Sequence, residues 1–573
     1  MIRRLPANHG RLTLALSGAF GLWAGLAHAE WQWAVELAQI GAGIVRPPAD
    51  NTFVVLHARL WTLLHQVSAV ALAAGLSERA LSFVLSGLAG MVSCQALAML
   101  AFAACHRFPV AVAVPPLVLV SGITMDGAVY PVMLLGWPHT HGMFGLPLAM
   151  LAIALIGSGY GRAGGFLLGL DVAVHPSTGV PVTAFVAIAA IAGRRHDVEG
   201  FNRLAKALAV GLAVSGLSLA FHLLLRTTIP PADPAAAREY LLAWTSVWDE
   251  HRRPVDWSRL GAVINVALPV VLLAWLPSCR DRAARLACGA LVVACIAALG
   301  LAVPSTMSPE RLPNSVIVAM PARLLNIGLF AAVPLIIGLL AGGRTRVSRW
   351  SALAAGVVLL ASSPILLGLD QRALLLLIAA WTAAAAFIER RAGSERATGT
   401  RPVTGLTVGM TTIAGALIVV LVLPRSPILS EHRTDLLASV RDPVLDVAAL
   451  RPGVLASAGD MALVQIRTRR TVLIDGMTLD SLPYALDNAP AVARILRDVY
   501  DIDLLAPPAA ARRLGKIPNE PNREAWERFD LARWQTIRAR YDVRDVLVFG
   551  SWQLELPLVA ASPDLRLYTI PER

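Results

Sequence analysis

The stretch HAEWQWAVELAQIGAGIVRPPADNTFVVLHARLWTLLHQ, residues 28–66, follows the first long apolar run and is the first place where charge returns. Glu30, Glu36, Arg46 and Asp50 lie there among tryptophans, beside a Pro47-Pro48 turn. Beyond Pro48, Phe53, Leu56, Leu60, Leu63 and Val67 recur at three- and four-residue spacing, while Arg59, Thr62 and Gln66 take another face. That spacing predicts an amphipathic helix over 53–76 that lies in a membrane surface and does not cross it. A carboxylate therefore stands at the mouth of the first membrane helix, followed by a surface helix.

Around that stretch the chain is apolar. Of 573 residues, 56% are hydrophobic and 15% charged, with a mean hydropathy of +0.62. Many runs approach the roughly 20 apolar residues that cross a bilayer, which makes this a polytopic membrane protein by composition. The net charge of +12 does not indicate nucleic acid: from residue 424 onward, 20 Lys and Arg balance 20 Asp and Glu. The excess lies in short loops of the apolar part, where the positive-inside rule accounts for it. Cys94, Cys105, Cys279, Cys288 and Cys295 fall in or beside apolar runs without CxxC spacing, so neither a disulfide scaffold nor a zinc site is expected.

The N-terminus imitates a signal peptide, with basic residues, an apolar stretch and an Ala-His-Ala end. Among a dozen further apolar segments it reads as an uncleaved first membrane helix. In either case Glu30 emerges on the non-cytoplasmic side. Arginines then set the topology: the N-terminus is cytoplasmic, and segments near 12–29, 80–104, 108–124, 143–158, 203–226, 259–277, 284–303, 322–341, 350–368, 371–388 and 405–423 alternate across the membrane. Residues 164–192 have basic residues on both flanks and DVAVHPSTGVP in the middle, which predicts two half-helices forming a hairpin that turns inside the membrane and lines the site. About 13 segments result, in a mainly α membrane domain over 1–423. Residues 424–573 have the composition of a small α/β extracytoplasmic domain, with strands at 471–475, 545–549 and 566–570 and helices at 489–500 and 523–541.

Four clusters of candidate chemistry fall on the outer face. Glu30 and Glu36 are about 120° apart on a helix, so one of them faces a shared cavity. Glu30 is the choice for a general base toward a hydroxyl acceptor, the competing reading being a charge that marks a helix end. His139 and His141 in GWPHTHG, with Asp126 and Tyr130 upstream, suit sugar or phosphate hydrogen bonding. A divalent metal or a loop cap is the other reading of that pair. Asp171 and His175 in the broken hairpin are ionisable groups at membrane depth, and serve either function or the backbone groups freed by the break. Arg252, Arg253, Arg311 and Arg323 suit phosphate, or anchor lipid headgroups. In the C-terminal part, RTRRTVLIDGMTLDSLPY (467–484) packs arginines, aspartates and a tyrosine around a predicted strand end, a candidate site or a solvated edge strand.

The run E-x5-E-L-A-Q-I-G-A-G-I, then Pro-Pro and a helix ending in GLSERALS, resembles the first outer loop of GT-C superfamily glycosyltransferases, whose members include the protein O-mannosyltransferases and the lipid A aminoarabinose transferases. The hairpin GGFLLGLDVAVHPSTGV is similar to a segment of theirs, and the likeness in pattern covers residues 12–195. Two positions depart: Ala29-Glu30 stands where a paired acid is usual, and His175 where a lysine is often found. The resemblance implies an enzyme of a bacterial inner membrane that takes a sugar from a polyprenyl phosphate and passes it to a glycan or lipid acceptor, among membrane lipids and without nucleic acid. Glu30, then Glu36, would act at the acceptor; Asp126, Tyr130, His139, His141, Asp171, His175, Arg253 and Arg323 would bind substrate. A transporter or a non-catalytic scaffold for polysaccharide export are the alternatives.

Overall fold

The computed structural model describes residues 7–226, 231, 233–249, 251–252, 254–279, 281–363, 370–394, 436 and 442–572. Arg253 and the predicted segment 405–423 lie outside the described residues. The chain is mainly helical, with a small sheet near its C-terminal end.

The first helix, α1 (Ala7–Ala27), packs lengthwise on α5 (Glu78–Cys105). Gly21 and Gly25 make this approach close: a Cβ at Gly21 would meet the Gly90 carbonyl oxygen at 2.2 Å. Small residues one turn apart are how apolar helices bring their backbones together. Between these two helices lies the stretch 28–66, and it does not form one surface helix. It folds into α2 (Trp33–Gly41), α3 (Thr52–Arg59) and α4 (Leu63–Ala73), with a bend of 118° between the last two. Leu60 and Thr62 are extended, and the Thr62 hydroxyl accepts from the Leu64 amide and donates to the Val174 carbonyl at 2.9 Å. The bend is thus fixed by a distant part of the chain, and apolar spacing alone does not report it. Phe53 and Leu56, read as a lipid-facing stripe, are buried against Val472, Leu547 and Leu567 of the C-terminal part.

The chain continues through α6 (Phe108–Ser121), α7 (Thr140–Gly157), α8 (Gly161–Val174), α9 (Pro176–Gly193), α10 (Val198–Leu225), α11 (Pro234–Ala243), α12 (Leu260–Trp275), α13 (Arg282–Ala302), α14 (Asn314–Ala319), α15 (Asn326–Gly342), α16 (Arg346–Ala361) and α17 (Gln371–Ser394). Eight helices among the described residues are long and apolar enough to cross a membrane: α5, α7, α9, α10, α12, α13, α15 with the turns that lead into it, and α17. Helix α15 is buried from Asn326 to Ala341 and forms the centre of the bundle. Helix α10 is at the rim, exposing Leu217, Phe221 and Leu224.

Helices α8 and α9 form the expected hairpin. It breaks at His175 (φ −147, ψ 84), because the residue before a proline is forced out of the helical region. The arms run antiparallel: the Thr183 hydroxyl donates to the Leu168 carbonyl at 3.2 Å, and Gly179 lies on the backbone of Asp171. The second arm, α9, is long enough to cross a membrane by itself, so it exceeds the half-helix predicted. A Cβ at Gly179 would lie 2.6 Å from the Asp171 carbonyl group. Gly179→Ala should therefore pry the arms apart and cost about 1–3 kcal/mol, read as a lower thermal midpoint in detergent.

The C-terminal sheet contains β1 (Val454–Ser457), β2 (Val543–Phe549), β3 (Leu558–Ala561) and β4 (Leu565–Thr569) in the order β1-β2-β4-β3. β1 and β2 are parallel; the other pairs are antiparallel. Two expectations need correction. Residues 471–475 are no strand and make a single bridge, Leu455 to Val472. The helix read over 523–541 is two, Asn519–Arg528 and Leu531–Tyr541, because the Asp530 side chain accepts from the Arg533 amide and starts a new helix. The expected helix at 489–500 is present as Ala489–Tyr500. Trp244 and Trp248, from the loop between α10 and α12, stack at 5.8 Å and join this core beside Trp526 and Trp534. The Trp248 indole N–H donates to the Leu504 carbonyl at 2.9 Å.

Candidate functional site

The site lies where the stretch 28–66, the loop 125–142, the hairpin tip and the C-terminal part meet. Residues 32–34 are zipped to GWPHTHG. The Gln32 side-chain amide donates to the Trp137 carbonyl (2.9 Å), the Trp33 amide to the Pro138 carbonyl (3.1 Å), and the Thr140 hydroxyl to the Gln32 amide oxygen (2.9 Å). This brings the Trp33 ring to 3.8 Å from that of His139. Burial, then His251 and Lys516, lower the His139 imidazole to about 3, so it is neutral at physiological pH. His141 stands edge-on to His65 at 4.9 Å.

The C-terminal part closes this junction with the segment that sequence had singled out, 467–484. Asn51 and Thr52, at the start of α3, donate to the Val472 and Leu473 carbonyls at 3.1 and 3.0 Å. Arg469 forms a forked pair with Glu78 at the start of α5 (2.8 and 2.7 Å), and Arg59 pairs with Asp487 at 2.6 Å. Tyr484 reaches furthest. Its hydroxyl accepts from Arg323 at 2.9 Å, and the Arg252 guanidinium lies over its ring at 5.0 Å.

Those two arginines are the main electrostatic feature. Arg323 is 7% exposed, and among the described residues its hydrogen-bond acceptors are the Tyr484 and Ser177 hydroxyls and the Met320 carbonyl, none of them a carboxylate. Arg252 pairs with Asp249, yet its Nη2 is buried with no partner among the described residues. Burial would push the Tyr484 phenol up, but Arg323 and Arg252 outweigh it and hold it below the ordinary tyrosine range. Tyr130, whose ring meets that of His251 at 5.7 Å, is raised by burial. A shallow open cleft starts at His251 and Arg252 and continues along Met307, Val316, Ile317 and Met320. A cationic end on an apolar wall, with Asp249 and Asp480 nearby, fits an amphiphile with an anionic head.

No family model, curated protein or solved structure matches the chain. The site therefore stands on its geometry.

Of the residues read from sequence, Tyr130, His139, His141, His175 and Arg323 are brought to this junction. His175 is the hinge of the hairpin, and its Nδ1 lies 3.2 Å from the hydroxyl of Ser177, which also accepts from Arg323. Asp126 is engaged elsewhere: it pairs with Arg372 at 2.8 Å and caps the Leu260 amide at the start of α12. Asp171 is fully buried inside the hairpin, with neither oxygen hydrogen-bonded among the described residues. Arg311 is exposed. Glu30, read as half out of water, is 3% exposed, and its amide donates to Ser86 of α5 at 3.2 Å. Glu36 is fully buried and faces the C-terminal part. Among the described residues no three His, Cys, Asp or Glu side chains converge as a metal site requires. Sequence reading passed over His251, Ser177, Lys516 and the reach of Tyr484. The signal for Tyr484 was present in the 467–484 segment, but was attached to a strand that does not form.

Proposed function

We propose that this chain is an integral membrane glycosyltransferase that takes a sugar from a polyprenyl-phosphate carrier and passes it to a glycan or lipid acceptor. The observation that carries the reading is the Arg252–Tyr484–Arg323 cluster, whose Arg252 lines the end of an apolar cleft. The carrier phosphate would lie on the two guanidiniums and the isoprenoid tail along Met307, Val316, Ile317 and Met320. Stabilising the charge that develops on the departing phosphate is then the main catalytic work of the arginines. Glu30, beside the histidine loop, serves as base toward the acceptor hydroxyl. On this reading the chain is a multi-pass protein of a bacterial inner membrane with about 13 segments, its site and C-terminal part on the outer side.

Direct binding of undecaprenyl phosphate to the purified full chain tests the reading. Arg323→Ala should weaken binding on the order of 10²-fold, the loss typical of truncating one partner of a buried charge contact. Arg323→Lys should recover only part, since an ammonium lacks the planar fork. No binding to the unaltered chain, or equal binding to Arg323→Ala, would remove the carrier from this cleft.

A further inference from the structure

Arg323 gives one N–H to each of three parts of the chain: Nε to the Met320 carbonyl at 3.3 Å, Nη1 to the Ser177 hydroxyl at 2.6 Å and Nη2 to the Tyr484 hydroxyl at 2.9 Å. A guanidinium only donates, so the Ser177 oxygen accepts from Arg323 and its single proton must go elsewhere. The acceptor at hand is the His175 ring, whose Nδ1 lies 3.2 Å away. With Nδ1 protonated instead, the Ser177 oxygen would accept from both sides, and its own proton would have no acceptor among the described residues. Satisfying every group therefore assigns the His175 proton to Nε2.

The ring is held where this assignment matters. At the hinge of the hairpin, the His175 amide donates to the Asp171 carbonyl at 2.8 Å, and the His175 carbonyl accepts from the Thr178 and Gly179 amides at 3.0 and 2.8 Å. Helix α7 closes in beside it: a Cβ at Gly145 would meet the His175 Cβ at 2.4 Å. His175 is half-buried, and its Nε2 has no hydrogen-bond partner among the described residues. We infer that Ser177 is a positioning residue, holding Arg323 and setting the His175 ring so that its Nε2–H donates to the same phosphate oxygens that Arg323 binds. The inference rests on reading the arginine cluster as the seat of the carrier phosphate. It adds a neutral, directed donor beside the charged one, and makes the hairpin tip part of donor recognition.

Amide side chains separate the two ring nitrogens. Glutamine can bring its N–H close to the place of Nε2, whereas asparagine reaches only as far as Nδ1. Asparagine is also favoured just before the first turn of a helix, so α9 should still form with it. Purified full-length His175→Asn should bind undecaprenyl phosphate on the order of 10–100-fold more weakly, the range for a lost hydrogen bond to a charged group. His175→Gln should recover most of that loss. Ser177→Ala should weaken binding about 10-fold, and Ser177→Thr, which keeps the hydroxyl, should recover it. Nitrogen NMR of the chain carrying isotope-labelled histidine reads the tautomer with no ligand present. The His175 signals, identified by their loss in His175→Gln, should show a protonated Nε2 and a bare Nδ1, and a mixture of both forms in Ser177→Ala. A protonated Nδ1 in the unaltered chain would overturn the inference. Carrier binding that is equal in the unaltered chain, Ser177→Ala and His175→Asn would overturn it too, and leave the carrier reading standing. No binding by the unaltered chain would remove both.

Discussion

Replacing Asp545 by alanine should destabilise the C-terminal part by about 3–5 kcal/mol, the usual consequence of leaving one member of a buried ion pair alone. Asp545 is 1% exposed on β2 and takes both Arg451 (2.9 Å) and Arg470 (2.8 Å). Arg451 is part-exposed and can turn to water, but the Arg470 side chain is 3% exposed. Without Asp545 its guanidinium would keep, among the described residues, only the carbonyls of Ala448, Pro452 and Gly453. Burial would raise the Asp545 carboxyl, and the two guanidiniums more than offset it, so its pKa lies below the ordinary value. The sign follows: this contribution is present above the unfolded carboxylate pKa and is lost as pH falls through the lowered folded one. The thermal midpoint of the full chain, followed by tryptophan fluorescence, should drop in Asp545→Ala at neutral pH and approach that of the unaltered chain in acid. A joint Asp545→Leu, Arg470→Met replacement should recover much of the loss, since it removes both charges. An Asp545→Ala midpoint equal to the unaltered one at pH 7 would show that the pair contributes nothing to the fold.

Asp545 lies in a strand that the sequence marks, but its two arginines come from distant positions, and that division runs through the whole chain. Length and apolar composition located the helices, because crossing a bilayer sets a minimum run that local sequence must satisfy. The break at His175 was legible because Pro176 acts on the residue before it, whatever the surroundings. The bend at Leu60–Thr62 was not legible, since it depends on the Val174 carbonyl, more than a hundred positions away. The 467–484 segment shows the same division. Its density of Arg, Asp and Tyr marked it as unusual, but β-branched residues at 471–475 suggested a strand where tertiary contacts allow one bridge. Similarly, Asp126 and Arg323 looked alike as charges near an outer loop. Only partners separate them: Arg372 neutralises Asp126, whereas hydroxyls and a carbonyl hold Arg323.

On the proposed reaction, Glu30→Gln should lower turnover by roughly 10²–10⁴, the range for loss of a general base. The residue stands between α1 and α2, 3% exposed, with its backbone fixed to Ser86 and its neighbour Gln32 locked to Trp137 and Thr140. That fixation suits a base whose reach must be reproducible, and it joins Glu30 to the loop bearing His139 and His141. Glutamine keeps the size of the side chain and removes its basicity, so folding and carrier binding should survive. Undecaprenyl phosphate should bind Glu30→Gln as it binds the unaltered chain, whereas Arg323→Ala should bind it on the order of 10²-fold more weakly. The two variants thus separate chemistry from donor recognition. Complementation of a deletion strain, with polymer or glycan as readout, gives the activity, and immunoblotting of membranes checks that each variant accumulates. Because Glu36 is the other acid of the same loop, the deciding chain carries Glu30→Gln and Glu36→Gln together. Full activity from that double variant would take the acceptor chemistry away from this loop and favour a scaffold in which the loop serves only to seat the C-terminal part.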